Sequence, residues 1–165
     1  MVLFLIALIV LIADQASKIW TVENIALNTT FPIISGFDWF VLTHITNSGA
    51  AFGLFPQAGI VFTIIAVIVS FAIVAYYRSL PTGQWLVRLS LGLQLGGAIG
   101  NLIDRLRYGY VVDMLYARFF PVFNIADSAI VCGVALLMLH LLRHPSTPAP
   151  AAMSSDAPEK IEIPN

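Results

Sequence analysis

In a chain of 165 residues with few charges, Asp113 and Asp127 stand fourteen positions apart, the second at the start of a long apolar stretch. An ionised carboxylate costs about 2.5–3.5 kcal/mol at full depth in a membrane and less near the interface, so an aspartate there needs a reason. Asn124 at i−3 and Ser128 at i+1 offer hydrogen-bonding groups to Asp127, and the start of a helix supplies partial positive charge that favours the anion. The loop before Asn124 can return Asp113 to the same place. Two carboxylates so close cannot both ionise cheaply, so they share one proton. Such a pair is an acid and a base at once. One carboxylate activates a water, the protonated partner polarises a scissile carbonyl, and a proton passes to the leaving amine. This is the chemistry of an aspartic peptidase, and it requires no metal and no cofactor. The spacing leaves a plainer reading open, in which Asp113 pairs at the surface with Arg105, Arg107 or Arg118 and Asp127 only caps its helix.

Other polar residues read more modestly. Asp14 and Lys18 are four apart on one helix face and fit a structural ion pair, as do the adjacent Asp104 and Arg105, although Arg105 could also grip a peptide carbonyl or a lipid headgroup. His44, His140 and His144 lack metal-ligand spacing. Ser17 precedes Lys18, and Ser48 and Ser128 lie on the same side as the aspartates, but none follows a serine-nucleophile pattern. Cys132, the only cysteine, lies in an apolar run and is expected to be a buried, inert thiol.

The elements that must position these residues are membrane spans. The chain is 59% hydrophobic and 10% charged, far from the balance of a soluble domain, and its near-zero net charge with no basic block excludes a nucleic-acid surface. The run from Val2 to Ala13 crosses ~30 Å of hydrocarbon only if its helix continues past Asp14 to about Val22. With no basic region before it, it reads as a retained span rather than a signal peptide. Gly59 to Tyr77, Leu86 to about Ile103, and Val122 to Leu142 are the other three. Four crossings put both termini on one side and segments 23–58 and 104–121 on the other, with most of the polar residues. Phe37 to Thr46 is aromatic and β-branched before the turn signal Asn47-Ser48-Gly49, and Tyr108-Gly109 precedes the extended Tyr110-Val111-Val112. The fold class is thus a membrane all-α protein, four transmembrane helices over residues 1–144 with a small β-rich element at the membrane surface in 23–58, and a disordered tail over 145–165. Gly92, Gly96 and Gly100 form a small-residue stripe for close helix packing, and Gly97, Asn101, Asp104 and Arg105 lie on an adjacent face. Basic residues divide evenly between the two sides, so charge bias leaves the orientation undecided.

Over about residues 5–140 the chain resembles the lipoprotein signal peptidases, the bacterial type II signal peptidases. Five motifs coincide in order: Asp14-Gln15-Ala16-Ser17-Lys18; Asn47 to Gly53; Gly96 to Arg105; Gly109-Tyr110-Val111-Val112-Asp113; and Phe123 to Ser128. The resemblance implies an enzyme of the bacterial cytoplasmic (inner) membrane with cytoplasmic termini and an extracytoplasmic active face. It implies as substrate a diacylated prolipoprotein, cleaved just before its lipidated cysteine, with membrane lipid around a monomeric enzyme. It places Asp113 and Asp127 on the catalytic pair, Asn47, Asn101, Arg105 and Asn124 on substrate-binding or supporting positions, and Asp14 and Lys18 on a supporting motif. The β-rich segment would cradle the peptide from above. Met114 departs from the phenylalanine frequent after the first aspartate, and the first span lacks the usual preceding basic residues.

Two other classes compete. A small proton-coupled transporter would carry charges near mid-membrane along a path from side to side, whereas here they crowd one face and Gly59 to Tyr77 has none. A structural membrane subunit would need no paired aspartates.

Overall fold

A computed structural model of the chain describes residues 1–33, 39–49 and 59–144. The elements run α1 (Val2–Asn24), β1 (Thr30–Pro32), β2 (Phe40–Asn47), α2 (Gly59–Ser79), α3 (Trp85–Tyr108), β3 (Val111–Ala117) and α4 (Ile125–Arg143). All four helices are long and apolar enough to cross a membrane, and the strands form one small antiparallel sheet in the order β1-β2-β3. The expected fold class therefore holds. Parts of the expected β-rich segment (34–38 and 50–58) and the expected tail (145–165) lie outside the described residues.

Burial is inverted relative to a soluble protein because lipid is the outer solvent. On α1 the buried residues Leu3, Ala7, Val10, Asp14, Lys18 and Thr21 form a single stripe, while Phe4, Leu5, Leu8, Ile9 and Ile12 face outward. That stripe packs on α3, which lies between α1 and α4 and also carries α2. The stripe of small residues makes the approach close, as expected. A Cβ on Gly96 would lie 2.7 Å from both the Ala7 carbonyl oxygen and Val10 Cβ, and one on Gly100 2.5 Å from Asp14 Oδ2. Neither backbone carbonyl nor β-branched side chain can retreat without parting the helices. Gly96→Leu is accordingly expected to cost about 1–3 kcal/mol, read as a lower thermal unfolding midpoint in detergent; an unchanged midpoint would mean that α1 and α3 do not depend on this contact.

Near the termini the core is an apolar cluster of Leu3, Ala7, Ile73, Leu80, Val87, Leu91 and Leu95. Tyr77 closes it there, its hydroxyl accepting from the Met1 amine at 2.7 Å and from Arg88 at 3.3 Å.

Three differences from the sequence expectation have physical causes. α3 extends past Ile103 to Tyr108, because hydropathy marks where hydrocarbon ends rather than where a helix ends. It stops at Gly109, which takes the left-handed conformation (φ 79°) and returns its N–H to the Arg105 carbonyl. α4 begins at Ile125 rather than Val122, because Phe123 is held in extended form by a bridge to Leu115 of β3. Cys132 is exposed on the outer face of α4 instead of buried, since an apolar run in a membrane helix serves the lipid-facing side as readily as the core.

Candidate active site

The register of the sheet brings the first site residues together. Ile45 of β2 pairs with Asp113 of β3, and Asn47 pairs with Val111, so Asn47 is the diagonal neighbour of Asp113 on one face of the sheet. Asn47 Nδ2 donates to Asp113 Oδ2 at 2.9 Å. Beyond β3 the chain doubles back, and the bridge between Leu115 and Phe123 delivers Asn124 beside Asp113. Asn124 Nδ2 donates to Asp113 Oδ1 at 2.7 Å.

Asn124 is also the N-cap of α4. Its Oδ1 accepts from the Asp127 backbone N–H at 2.8 Å, and Asp127 Oδ2 accepts from the Asn124 N–H at 3.4 Å, a reciprocal capping box. The remaining carboxylate oxygen, Asp127 Oδ1, accepts from Asn101 Nδ2 of α3 at 2.7 Å. One fully buried asparagine thus touches both aspartates. The plainer reading is half realised: Asp127 does cap its helix, but Asp113 is buried between two asparagines, and no arginine forms an ion pair with it among the described residues.

Each of the three asparagines is oriented by a group that can only donate. Gly49 N–H donates to Asn47 Oδ1, Asp127 N–H to Asn124 Oδ1, and the Lys18 ammonium to Asn101 Oδ1 at 2.9 Å. Each amide must therefore turn its NH2 towards a carboxylate. The Lys18 contact comes from a buried network. Lys18 Nζ lies 2.8 Å from Asp14 Oδ2 and 2.9 Å from Asp104 Oδ2. Asp14 Oδ1 accepts from the Ala126 N–H, an otherwise orphaned donor in the first turn of α4, and Asp104 Oδ2 accepts from the Val112 N–H of β3. The i, i+4 pair expected on α1 is present and does more than brace one helix, because it ties α1 to α3, β3 and α4.

Two expectations are corrected here. Asp104 does not pair with its neighbour Arg105 but turns towards α1, since residues adjacent on a helix point about 100° apart. The face expected to hold Gly97, Asn101, Asp104 and Arg105 together is correspondingly split. Gln15 went unnoticed as a site residue, yet its Nε2 reaches Asp14 Oδ2, the Gly100 carbonyl and Asp104 Oδ1 at 3.0–3.2 Å. The available signal was an amide in a membrane span, which needs partners.

Arg105 stands at the boundary of two cavities. Its guanidinium lies over the Phe62 ring, 5.7 Å from the centroid, and Nη1 donates to the Asn101 carbonyl at 3.4 Å. On the bilayer side is an apolar cleft of about 270 Å³ between α2, α3 and α4, walled by Phe62, Ile65 and Ile130 and reaching Asn101 and Asp127. Towards the sheet is a cavity of about 480 Å³ lined by Ser48, Thr63 and Leu106. Asp127 is half-buried and opens onto the cleft.

Burial pushes the Asp113 carboxyl up to about 6. The Asn47 amide opposes that rise, the Asp127 charge adds to it, and Asn124 and Lys18 oppose it again. A carboxyl in that range can hold or release a proton near neutrality, as an acid–base pair requires.

Similarity to known proteins spans this whole arrangement. The family described as Signal peptidase (SPase) II matches residues 6–143. The lipoprotein signal peptidase of Moorella thermoacetica is 53% identical over 138 residues, covering 84% of this chain and 91% of its own. That of Halothermothrix orenii is 48% identical over 139 residues, covering 84% and 93%. A bacterial membrane enzyme solved by the in meso method at 2.3 Å resolution superposes with a TM-score of 0.79 at 30% identity, over 97% of this chain and 94% of that one. With α1 from Ile6 onward, the whole of α2, α3 and α4, and both aspartates inside the matched region, the chain belongs to the signal peptidase II family of membrane peptidases.

Proposed function

We propose that the protein removes the signal peptide from diacylglyceryl-modified prolipoproteins, cutting just before the lipidated cysteine, with Asp113 and Asp127 as an aspartic catalytic pair. The observation that carries the reading is Asn124, which hydrogen-bonds both carboxylates, one of which, Asp127, lines an apolar cleft. Asn47 and Asn124 hold Asp113, and Asn101 holds Asp127. The pair carries one proton. The ionised member takes a proton from water as that water attacks the scissile carbonyl, and the protonated member stabilises the developing oxyanion. The proton taken from water then goes to the leaving amine, which stays on the lipidated cysteine. Arg105 steadies a peptide carbonyl where the two cavities meet. The lipid of the substrate enters the cleft from the bilayer, and the peptide lies under the sheet, which cradles it. Lys18 and Asp14 set the Asn101 amide and the first turn of α4.

The site belongs on the extracytoplasmic side, with both termini in the cytoplasm and the enzyme in the bacterial inner membrane. The support for this sidedness is the family match over residues 6–143, since the basic residues at the two ends stay balanced when the half-buried Arg88 and Arg105 are treated alike. Residues 1–144 act as one membrane domain, with 145–165 a cytoplasmic extension. The working unit is a monomer, in which Asp113, Asp127 and the asparagines that hold them belong to the same chain. The transporter alternative loses its ground: the relatives are peptidases, and the buried carboxylates gather at one end of the bundle instead of spacing across it.

The test is cleavage of a diacylated lipobox peptide by the purified protein as pH is varied. The working state has one proton on the pair. With Asp113 near 6, raising the pH through that value removes the proton, so kcat/KM should fall about tenfold per unit above it. Neither a metal chelator nor a serine-directed reagent should slow the reaction. A flat profile from pH 5 to 8, or cleavage of the unlipidated peptide at the same rate, contradicts the proposal.

A further inference from the structure

Along the cleft wall, α3 presents Gln94, Ala98, Asn101 and Arg105, spaced as one helix face. Three of these fit what surrounds them; Gln94 does not. It lies seven residues, about 10 Å along the helix axis, deeper than Asn101, among Ile65, Ala66, Val69 and Ile130. An amide in such surroundings is costly unless its hydrogen bonds are made. Gln94 makes one, from Nε2 to the Ser90 carbonyl one turn back, at 3.3 Å. Its second Nε2 hydrogen has no acceptor among the described residues. The neighbouring helix leaves room for it: a Cβ on Gly133 of α4 would come within 2.8 Å of Gln94 Cγ. A leucine would suit the same space without a desolvated amide.

We infer that Gln94 is a specificity-determining residue, donating its free Nε2 hydrogen to an ester carbonyl of the diacylglyceryl group on the substrate cysteine. This rests on the substrate proposed above. The spacing agrees with it. From the scissile carbonyl carbon through the cysteine nitrogen, Cα, Cβ and sulfur, then two glycerol carbons and the ester oxygen to the ester carbonyl carbon, there are eight bonds. Extended chain advances ~3.3–3.6 Å per three bonds, so that path spans about 9–10 Å, which equals the separation of Gln94 from the level of Asn101 and Asp127. An ester carbonyl is an acceptor only, so of the two groups Gln94 leaves unspent, an Nε2 hydrogen and Oε1, it is the hydrogen that can meet it.

The experiment compares two peptides identical except at the glycerol linkage, one carrying diacyl esters and the other dialkyl ethers of equal chain length. Wild-type protein is expected to favour the ester by about tenfold in kcat/KM, chiefly through KM, the size of one well-made hydrogen bond. In Gln94→Leu that ratio should fall to near one, and Gln94→Met should reproduce it if the leucine variant is unstable. The wild-type comparison needs no variant. Equal use of ester and ether by the wild-type protein overturns the inference while leaving the peptidase reading intact. A variant that weakens on both peptides but keeps the tenfold ratio also overturns it. Failure of the wild-type protein to cleave the ester peptide overturns the peptidase reading itself, and this inference with it.

Discussion

Asp113→Asn and Asp127→Asn are each expected to lower kcat by roughly a thousandfold to ten-thousandfold, so that cells carrying either variant accumulate diacylated, unprocessed prolipoprotein. Asparagine keeps the shape of aspartate but can neither take a proton from water nor give one to the oxyanion. At position 113 it also turns an NH2 towards the NH2 of Asn47 or Asn124, because both oxygens of Asp113 now accept. The measurement therefore pairs single-turnover cleavage with thermal unfolding in detergent. Lost cleavage with a midpoint within a few degrees of wild type separates chemistry from folding. Wild-type processing by either variant would remove the catalytic pair from consideration.

Lys18→Met should produce the largest loss of stability. Among the described residues, Lys18 is the single cation in contact with two buried carboxylates, Asp14 and Asp104, at 2.8 and 2.9 Å. Methionine replaces its length without its charge and leaves both acids desolvated. Breaking a buried pair in this way costs about 3–5 kcal/mol, enough to deplete the protein from the membrane. Adding Asp104→Asn should recover part of the loss, since one stranded charge is removed. Activity should suffer beyond the loss of folded protein, because Asn101 Oδ1 then loses its charged donor and keeps only Asn124 Nδ2 at 3.1 Å, which loosens the amide that holds Asp127. Unchanged unfolding midpoints for the single variant would show that the network is incidental.

Much of this arrangement could be read from residue order, and the remainder divides along a physical line. Features decided by local spacing were legible: four apolar runs of bilayer length, the i, i+4 relation of Asp14 and Lys18, the turn at Gly109, and Asp127 three residues after a capping asparagine. Features decided by the partner were not. Asp104 sits beside Arg105 in sequence but meets Lys18 in space, and Gln15 acquires its meaning from a carbonyl and a carboxylate on α3. Helix ends were also obscured, because composition reports the surrounding solvent while a helix ends on backbone hydrogen bonds, as Phe123 and the helical stretch from Asp104 to Tyr108 illustrate. Asn124 was placed beside Asp127 by its spacing, but Asn47 and Asn101 gained site roles only through family resemblance. Without it, Asn101 is one polar residue among several, and only its placement between Lys18 and Asp127 gives it a distinct task.

Asn124 begins a helix and holds an acid on another element, and this double duty has a dynamic consequence. Helix ends fray far more often than a helical bundle unfolds, with free energies well below the global value. A single opened turn at Ile125–Ser128 would release Asp127 from its cap and loosen Asn124, one of the two amides on Asp113, together, leaving the rest of the bundle upright. The lifetime of the competent enzyme is then governed by one terminal turn, and amide exchange at Asp127 should track inactivation on warming before any other part of the fold loosens.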